Sequence, residues 1–265
     1  MTTDDRDRAQ SSGAVAQAYD AGRPTFPAEA LRWITGPGRL QVLDLAAGTG
    51  KLSQVALDQG HAVLAMDPCE EMLAICGKRR GIETMVGTAE SIPLAHASVD
   101  VVLAGQSFHT FEHTRALPEI ARVLRPNGVI GLLWNNYDVV VPWVRRLAGT
   151  LLGEEFGSDG SHNYDPTPAL ADSNLFSFIE QTSIRHWQSM DKFALRQLAL
   201  SIPRVAALSE GKRAGVLEQV DAIYAGTARP PEPLRMPYMT SAFRARPSDL
   251  ANYQRQRDAP IAPPL

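Results

Sequence analysis

Residues 42–53 read VLDLAAGTGKLS, an apolar run that contains an acid and is followed by a turn with two glycines. A turn of this kind, between a strand and a helix, is where parallel α/β proteins bind anionic ligands and cofactors. Gly48 and Gly50 match the first two positions of the dinucleotide fingerprint G-x-G-x-x-G, but Ser53 stands at the third. The pattern therefore leaves three alternatives open: a dinucleotide phosphate, another ligand, or a simple connection.

Strands and helices alternate on both sides of this turn. Short apolar runs predict strands, and segments with apolar residues at helical spacing predict the helices between them. The predicted strands are 40–45, 62–66, one that ends at 85–86, 99–104 and 129–134, and the predicted helices between them are 52–59, 70–79 and 114–124. Such alternation indicates an α/β protein with a parallel sheet and helices on both faces. Ligands of such sheets bind beyond the carboxyl ends of the strands.

The pattern changes after residue 136. A helix is predicted over 139–152, a loop over 154–167, a strand over 179–188, helices over 193–201 and 211–224, and a last strand over 234–245. The two late strands can complete the sheet while the helices form a cap. We therefore predict one domain over 14–246, made of a cofactor-binding part (14–136), a cap and acceptor part (137–233) and a last strand (234–246), with tails at 1–13 and 247–265.

Composition excludes several classes of protein. The chain has 265 residues, of which 44% are hydrophobic and 21% charged, with a formal net charge of -3. This charge is not the basic footprint of a nucleic-acid-binding protein, and the one basic cluster, Lys78-Arg79-Arg80, falls at a predicted helix end, where cations favour the helix dipole. No apolar run reaches the roughly 18 residues of a membrane span. We predict no nucleic-acid partner and no membrane association.

The two cysteines and the first residues bear on the compartment. Cys69 and Cys76 lie two turns apart on one predicted helix, which is too far for a disulfide. Residues 1–13 are polar and charged, without the apolar core of a secretory signal. Both observations favour a reducing compartment and predict a cytoplasmic protein.

Two acids lie at the carboxyl ends of neighbouring predicted strands, Asp44 just inside one end and Asp67 just after the other. Asp44 lies just before the glycine turn, where a carboxylate would repel a pyrophosphate and suit a cation. Asp67 ends the next strand, in a position to accept hydrogen bonds from ribose hydroxyls. A ligand with a ribose and a positively charged head fits both acids.

Five segments in order resemble the successive motifs of class I S-adenosylmethionine-dependent methyltransferases. They are VLDLAAGTG, AMDPCEEML, GTAESIPL, SVDVVLAGQSFHTF and ALPEIARVLRPNGVIGLLWN. The chain is most similar to the small-molecule branch that includes ubiquinone-biosynthesis-like and trans-aconitate-methyltransferase-like proteins. The resemblance covers roughly residues 15–136, and more weakly the segments near Trp187 and Pro237–Ala245. It implies a Rossmann-like three-layer sandwich: a mostly parallel seven-stranded sheet, helices on both faces, a C-terminal antiparallel strand and helical cap insertions.

The resemblance also implies roles for individual residues in binding S-adenosylmethionine. The methionine part of the cofactor would lie against Asp44, Ala46, Gly48 and Gly50, and its ribose would bind to Asp67. The adenine would lie between Pro68 and Met72 and beside Thr88, Ala89 and Glu90, and the sulfonium would lie above Gln106. Tyr19 and Arg23 would belong to a lid segment, in which Arg23 is placed to pair with the cofactor carboxylate. Two positions depart from the family pattern. Ala46 stands where the family has glycine, and Thr88 stands where an aspartate often reads the adenine amino group.

His109, in the segment QSFHTF after the fourth strand, is the candidate catalytic residue. An imidazole with an ordinary pKa near 6.5 can take a proton from a substrate at neutral pH. The alternative is an imidazole that only shapes the pocket, since a sulfonium needs alignment with its acceptor more than a base. No metal site is predicted, because the cysteines have no partner pair.

The predicted function is transfer of a methyl group from S-adenosylmethionine to a small-molecule acceptor, by a monomer or homodimer. Two alternatives remain open on the sequence. One is an NAD(P)-dependent oxidoreductase on the same architecture, against which the missing third glycine and Asp44 count. The other is a non-catalytic protein that binds S-adenosylmethionine without an open acceptor pocket.

Overall fold

A computed structural model describes residues 16–153, 164–229 and 231–248. The tail predicted at 1–13, residues 249–265 of the tail predicted at 247–265, and most of the loop predicted over 154–167 lie outside these described residues. Pro247, the first residue of the predicted C-terminal tail, is the last residue of β7. Seven strands form one sheet: β1 (Gln41–Leu45), β2 (Ala62–Asp67), β3 (Ile82–Val86), β4 (Val99–Gly105), β5 (Leu124–Tyr137), β6 (Phe176–Met190) and β7 (Leu234–Pro247).

The strand order is β3-β2-β1-β4-β5-β7-β6. Strands β1 to β5 pair in parallel, and β7 runs antiparallel to both of its neighbours, β5 and β6. The chain reverses its direction of winding between β1 and β4, so a crevice opens beyond the carboxyl ends of these two strands. The predicted α/β Rossmann-like sheet of seven strands with one C-terminal antiparallel strand is confirmed.

Ten α-helices are described between and around the strands. They are α1 (Ala16–Gly22), α2 (Ala28–Thr35), α3 (Lys51–Asp58), α4 (Glu70–Cys76), α5 (His113–Val123), α6 (Pro142–Leu152), α7 (Thr167–Asp172), α8 (Lys192–Leu200), α9 (Pro203–Ala206) and α10 (Glu210–Thr227), and a 3-10 turn covers Phe108–Thr110. The short helices α7 and α9 have no apolar periodicity long enough for the sequence to indicate them.

Several predicted boundaries differ from the observed ones by three or more residues, and the local structure explains two of these differences. Helix α4 ends at Cys76, because Gly77 and the turn that follows it stop the helix before the basic cluster. Strand β5 begins at Leu124, five residues before the prediction. Leu124 pairs with Val99, and the next pair joins Val101 to Val129, so residues 125–128 bulge out of the ladder.

Three apolar clusters hold the layers together. One face of the sheet packs on α5 and α7, and the other face packs on α2 and α3. The third cluster lies under the cap, where α6, α8, α9 and α10 cover the end of β7. This arrangement is the predicted three-layer sandwich with helical cap insertions. In the part of the chain that the structure describes, no helix has the length and apolarity to cross a membrane.

Candidate functional site

The glycine turn is folded into a fixed shape at the carboxyl end of β1. The Gly50 N–H donates to the Ala47 carbonyl at 3.0 Å, and the Ala47 N–H donates to the Met66 carbonyl of β2 at 3.1 Å. Gly50 precedes the first residue of α3 with a φ of 78°, and a Cβ there would lie 2.4 Å from the Cys76 Sγ atom. Gly48 has a φ of 58°, and a Cβ there would meet no atom within 4 Å. The turn therefore presents its Gly48 side to open space.

Asp44 is buried below this turn, with 1% of its surface exposed. Its Oδ2 atom accepts a 2.6 Å hydrogen bond from the Ser53 hydroxyl, while its Oδ1 atom is buried without a hydrogen-bond partner. Burial raises the pKa of Asp44 to about 7, against the opposing effect of the Ser53 hydrogen bonds. A buried acceptor atom of this kind is suited to a cationic donor from a ligand.

Asp67 lies beside the turn at the end of β2. Its Oδ2 atom accepts from the Gly48 N–H and its Oδ1 atom from the Cys69 N–H, each at 2.8 Å. Burial raises the pKa of Asp67, and the two backbone donors oppose the rise. The structure thus brings Asp44, Gly48 and Asp67 together at one corner of the crevice, as the sequence predicts.

Two residues at the crevice have backbones in the left-handed region that favours glycine. Ala46 has a φ of 51° and Gln106 a φ of 62°, at the ends of β1 and β4. Ala46 therefore adopts the conformation for which the family pattern has glycine. The Gln106 Oε1 atom accepts from the Asn135 N–H at 2.7 Å, which ties the ends of β4 and β5 together. Strain of this kind is concentrated at functional sites.

The residues predicted to surround the adenine lie after β2 and β3. Met72 is buried against Cys69 and packs with Ala16 of α1. Ala89 is buried in the core face that contains α5, and Thr88 pairs with Ser91 in an isolated bridge. The remaining two residues are less enclosed: Pro68 is partly exposed, and the Glu90 carboxylate accepts from the Glu112 N–H at 3.0 Å. The adenine contacts of these residues remain predictions.

Helix α1 is held over the glycine turn by ion pairs. Asp20 lies 2.6 Å from the Arg79 guanidinium and 4.0 Å from the Lys51 ammonium. Arg79 also donates from Nε to the Thr49 carbonyl at 2.9 Å. The interpretation of Arg79 as a helix-end cation was therefore wrong: α4 ends before it, and its side chain binds the turn and α1.

The two lid residues named by the sequence occupy different positions. Tyr19 packs in the small cluster with Cys69 and Met72, next to the predicted adenine side. Arg23 lies just after α1 and turns toward the cap, where its Nε donates to the Ser201 hydroxyl at 2.9 Å and its Nη2 to the Ser201 carbonyl at 3.3 Å. The pairing of Arg23 with a cofactor carboxylate remains a prediction.

His109 lies on the 3-10 turn that follows β4, with its side chain exposed. Its ring centroid is 5.6 Å from that of Tyr164, and Phe108 behind it stacks on His113 at 4.5 Å. Burial of part of the ring lowers the pKa of His109, and the nearby His113 adds to this effect. The imidazole is therefore neutral at neutral pH and able to accept a proton.

Sequence reasoning missed Ser53 and Asp20 as parts of the site. Ser53 was noted only as a missing glycine, yet it is fully buried and is the side-chain donor to Asp44. A hydroxyl nine residues after a buried strand acid was the available signal. Asp20 carried no such signal, because its partners are 31 and 59 residues further along the chain. Among the described residues, no group of three or more His, Cys, Asp and Glu side chains is arranged to hold a metal ion.

Comparison with known proteins agrees with this geometry. A family model described as a methyltransferase domain matches residues 43–132. An uncharacterized methyltransferase of Mycobacterium tuberculosis is 45% identical over 163 residues, which are 60% of this chain and 64% of that protein. An uncharacterized methyltransferase of Schizosaccharomyces pombe is 31% identical over 211 residues, or 76% of this chain and 83% of that protein. The match thus spans less than two thirds of the length of the mycobacterial relative.

A solved structure has the same architecture. A type II methyltransferase from Anaeromyxobacter dehalogenans superposes with a TM-score of 0.59 at 25% identity, over 84% of this chain and 97% of that one. The chain belongs to the class I S-adenosylmethionine-dependent methyltransferases. S-adenosylmethionine is the cofactor of this family, and the buried, unpartnered Oδ1 atom of Asp44 fits its cationic amino-acid head.

Proposed function

We propose that this chain transfers a methyl group from S-adenosylmethionine to a small-molecule acceptor by in-line displacement. The observation that carries the proposal is the pair of buried acids around the glycine turn. Asp44 retains one oxygen without a partner, and Asp67 lies directly beside Gly48. S-adenosylmethionine supplies a methyl group on a positively charged sulfur, so the protein has only to bind it and align the acceptor.

Different residues of the chain would bind the cofactor and the acceptor, on the two sides of the crevice. We propose that Asp44 and the turn residues Ala46, Gly48 and Gly50 hold the amino-acid head, and that Asp67 holds the ribose. The predicted adenine side is formed by Pro68, Met72, Thr88, Ala89 and Glu90, with Tyr19 beside it, and Gln106 closes the floor between β4 and β5. Residues 137–233 would shape the acceptor pocket, because they supply the cap that covers the far side of the crevice.

An oxidoreductase that binds NAD(P) is the weaker candidate. Its pyrophosphate would approach the glycine turn directly above Asp44, and an ionised carboxylate there would repel it. Ser53 also fills the position of the third fingerprint glycine, with its side chain buried against Asp44. Tight binding of NADH in a fluorescence titration would favour the oxidoreductase.

Calorimetry with S-adenosylhomocysteine tests the binding half of the proposal. We expect Asp67→Ala to weaken binding by about tenfold or more, since it removes a charged hydrogen-bond acceptor. Asp58→Ala is the matched control, because Asp58 is exposed on α3 and bonds only to Gln54 among the described residues. Absence of binding to the unmodified protein, or equal affinities in the Asp67 and Asp58 variants, would refute the proposal.

A second experiment tests methyl transfer and the role of His109. The protein is incubated with S-adenosylmethionine labelled in its methyl group and a fractionated extract of small metabolites, and labelled products are separated. We expect His109→Gln to lower kcat and to remove the limb of the pH–rate profile that reports a base. His96→Gln is the control, as this histidine is also exposed but lies in the loop before β4. No labelled product in any fraction would indicate a non-catalytic binding protein.

A further inference from the structure

Three aromatic side chains form a row across the last three strands of the sheet. Tyr137 of β5 pairs with Tyr238 of β7, which pairs with His186 of β6. The ring centroids of Tyr137 and Tyr238 lie 5.8 Å apart, and those of Tyr238 and His186 lie 5.7 Å apart. One row further into the sheet, the Asn135 side chain bonds to Thr240, so that polar groups border the aromatic row. The row lies at the carboxyl end of β5, on the side where the crevice meets the cap.

Two hydroxyl groups of this row are buried without a hydrogen-bond partner. Tyr238 is 1% exposed, and neither its hydroxyl nor that of Tyr137 bonds to any group in the described structure. A buried hydroxyl normally has a partner, because loss of its water is otherwise uncompensated. Two such hydroxyls in one row are suited to a ligand that supplies the missing acceptor.

The positive charge of Arg23, in the lid segment, acts on both tyrosines. Burial raises the pKa of both tyrosines, and the positive charge of Arg23 opposes the rise in each case. Arg23 is fixed from the cap side by Ser201, through its Nε and Nη2 atoms. The lid segment is also bonded to the end of β5, because the Asn135 Nδ2 atom donates to the Thr25 carbonyl at 3.0 Å, two residues after Arg23.

We propose that Arg23, Tyr137 and Tyr238 form an acceptor subsite that binds a carboxylate group of the methyl acceptor. Two phenol donors and a guanidinium match the two oxygens and the negative charge of a carboxylate. The assignment rests on the function proposed above, since it names the class of acceptor. It places the recognised carboxylate between the lid segment and the cap, so that the rest of the acceptor extends toward the end of β4.

Binding of small acids tests the subsite without knowledge of the natural acceptor. The protein is saturated with S-adenosylhomocysteine and titrated by calorimetry with acetate, succinate and benzoate, each against its neutral amide, and with inorganic phosphate. We expect at least one of the acids to bind and its amide not to bind. We expect Tyr137→Phe/Tyr238→Phe and Arg23→Gln each to weaken the acid by about tenfold or more. Tyr224→Phe is the control and should retain the affinity.

The free protein gives a second measurement. Because Tyr137→Phe and Tyr238→Phe each remove a buried donor that has no partner, we expect the double variant to unfold at a temperature that is higher by a few degrees, about 2–4 °C for each kcal/mol gained. A hydroxyl that only stabilises the fold would give the opposite sign. Tyr224→Phe is the control. The Tyr224 hydroxyl is not one of the buried hydroxyls that lack a partner, so its removal should leave the unfolding temperature unchanged.

Four outcomes would overturn the subsite. They are no binding of any of the acids, binding that is equal in the double phenylalanine variant, binding of phosphate in place of the carboxylates, and a lower unfolding temperature of the double variant. A loss of S-adenosylhomocysteine affinity in Arg23→Gln would assign Arg23 to the cofactor carboxylate instead. If S-adenosylhomocysteine fails to bind the unmodified protein, the proposed function itself fails, and this result is separate from the acid titrations.

Discussion

Replacing Asp44 with asparagine removes the acid on which the cofactor assignment depends, and its effect on stability has a definite sign. Burial raises the pKa of this carboxyl from 3.8 to about 7. At about 1.36 kcal/mol per pH unit, this rise corresponds to about 4 kcal/mol of destabilisation once the group is ionised. The loss of stability begins as the pH rises above 3.8, where the unfolded chain ionises, and is complete above pH 7.

We therefore expect Asp44→Asn to be more stable than the unmodified protein at high pH. The advantage should grow by about 2.5 kcal/mol between pH 5 and pH 8, as measured by urea unfolding. The asparagine carbonyl can still accept the hydrogen bond from Ser53, so the local packing is retained. Stability that is unchanged or lower in the variant at pH 8 would refute a buried, uncompensated charge at this position.

Ionisation of Asp44 lowers the stability of the free protein, but we expect it to raise the affinity for the cofactor. If the ionised Asp44 binds the cationic amino-acid head, the affinity for S-adenosylhomocysteine rises about tenfold from pH 6 to pH 8, and binding at pH 6 releases about 0.9 proton from this group. Calorimetry in buffers of different ionisation enthalpy measures both quantities. Asp44→Asn should bind more weakly and lose this pH dependence.

Ser53→Ala is the matched control for this experiment. It removes the hydroxyl donor that lowers the pKa of Asp44, so the midpoint of the affinity profile should move to higher pH while the cofactor contact remains. The Cys76 thiol does not contribute to the pH dependence of binding between pH 6 and pH 8, because burial and the nearby Asp44 raise its pKa to about 11. A profile that is flat in the unmodified protein, or equally steep in Asp44→Asn, would contradict the assignment of the cationic head to Asp44.

Three further substitutions test the surroundings of the crevice. Ala46→Gly relieves a left-handed backbone and should stabilise the protein by up to about 1 kcal/mol in urea unfolding; a loss would show that no strain is present. Gly22→Ala places a Cβ 2.1 Å from the Leu198 backbone nitrogen and should cost more than about 2 kcal/mol, whereas Gly226→Ala, in open space on α10, should be neutral or stabilising. Asp20→Asn should change stability by less than about 1 kcal/mol yet weaken S-adenosylhomocysteine binding several-fold in calorimetry, because Arg79 loses its partner beside the turn; unchanged affinity would separate α1 from cofactor binding.

The positions of the residues around the glycine turn could be predicted because they depend on short stretches of sequence. Asp44 and Asp67 end neighbouring parallel strands, and the strand period and glycine turn suffice to place them at the same edge of the sheet. The same reasoning could not find the Asp20–Arg79 ion pair or the Arg23–Ser201 bond. These contacts join segments 59 and 178 residues apart, and no local pattern records which distant side chain a charge will meet.

The aromatic row at the end of β5 illustrates most clearly the difference between local and long-range contacts. The sequence by itself determined the class of fold and the position of the two acids beside the glycine turn, because buried strands require apolar runs and a tight turn requires glycine. Only the tertiary structure decided that Tyr137, His186 and Tyr238 form one row, since that row depends on the antiparallel insertion of β7 between β5 and β6. Register between strands so far apart in the chain is set by the packing of the whole sheet, and this packing left the Tyr137 and Tyr238 hydroxyls buried without partners in the described structure.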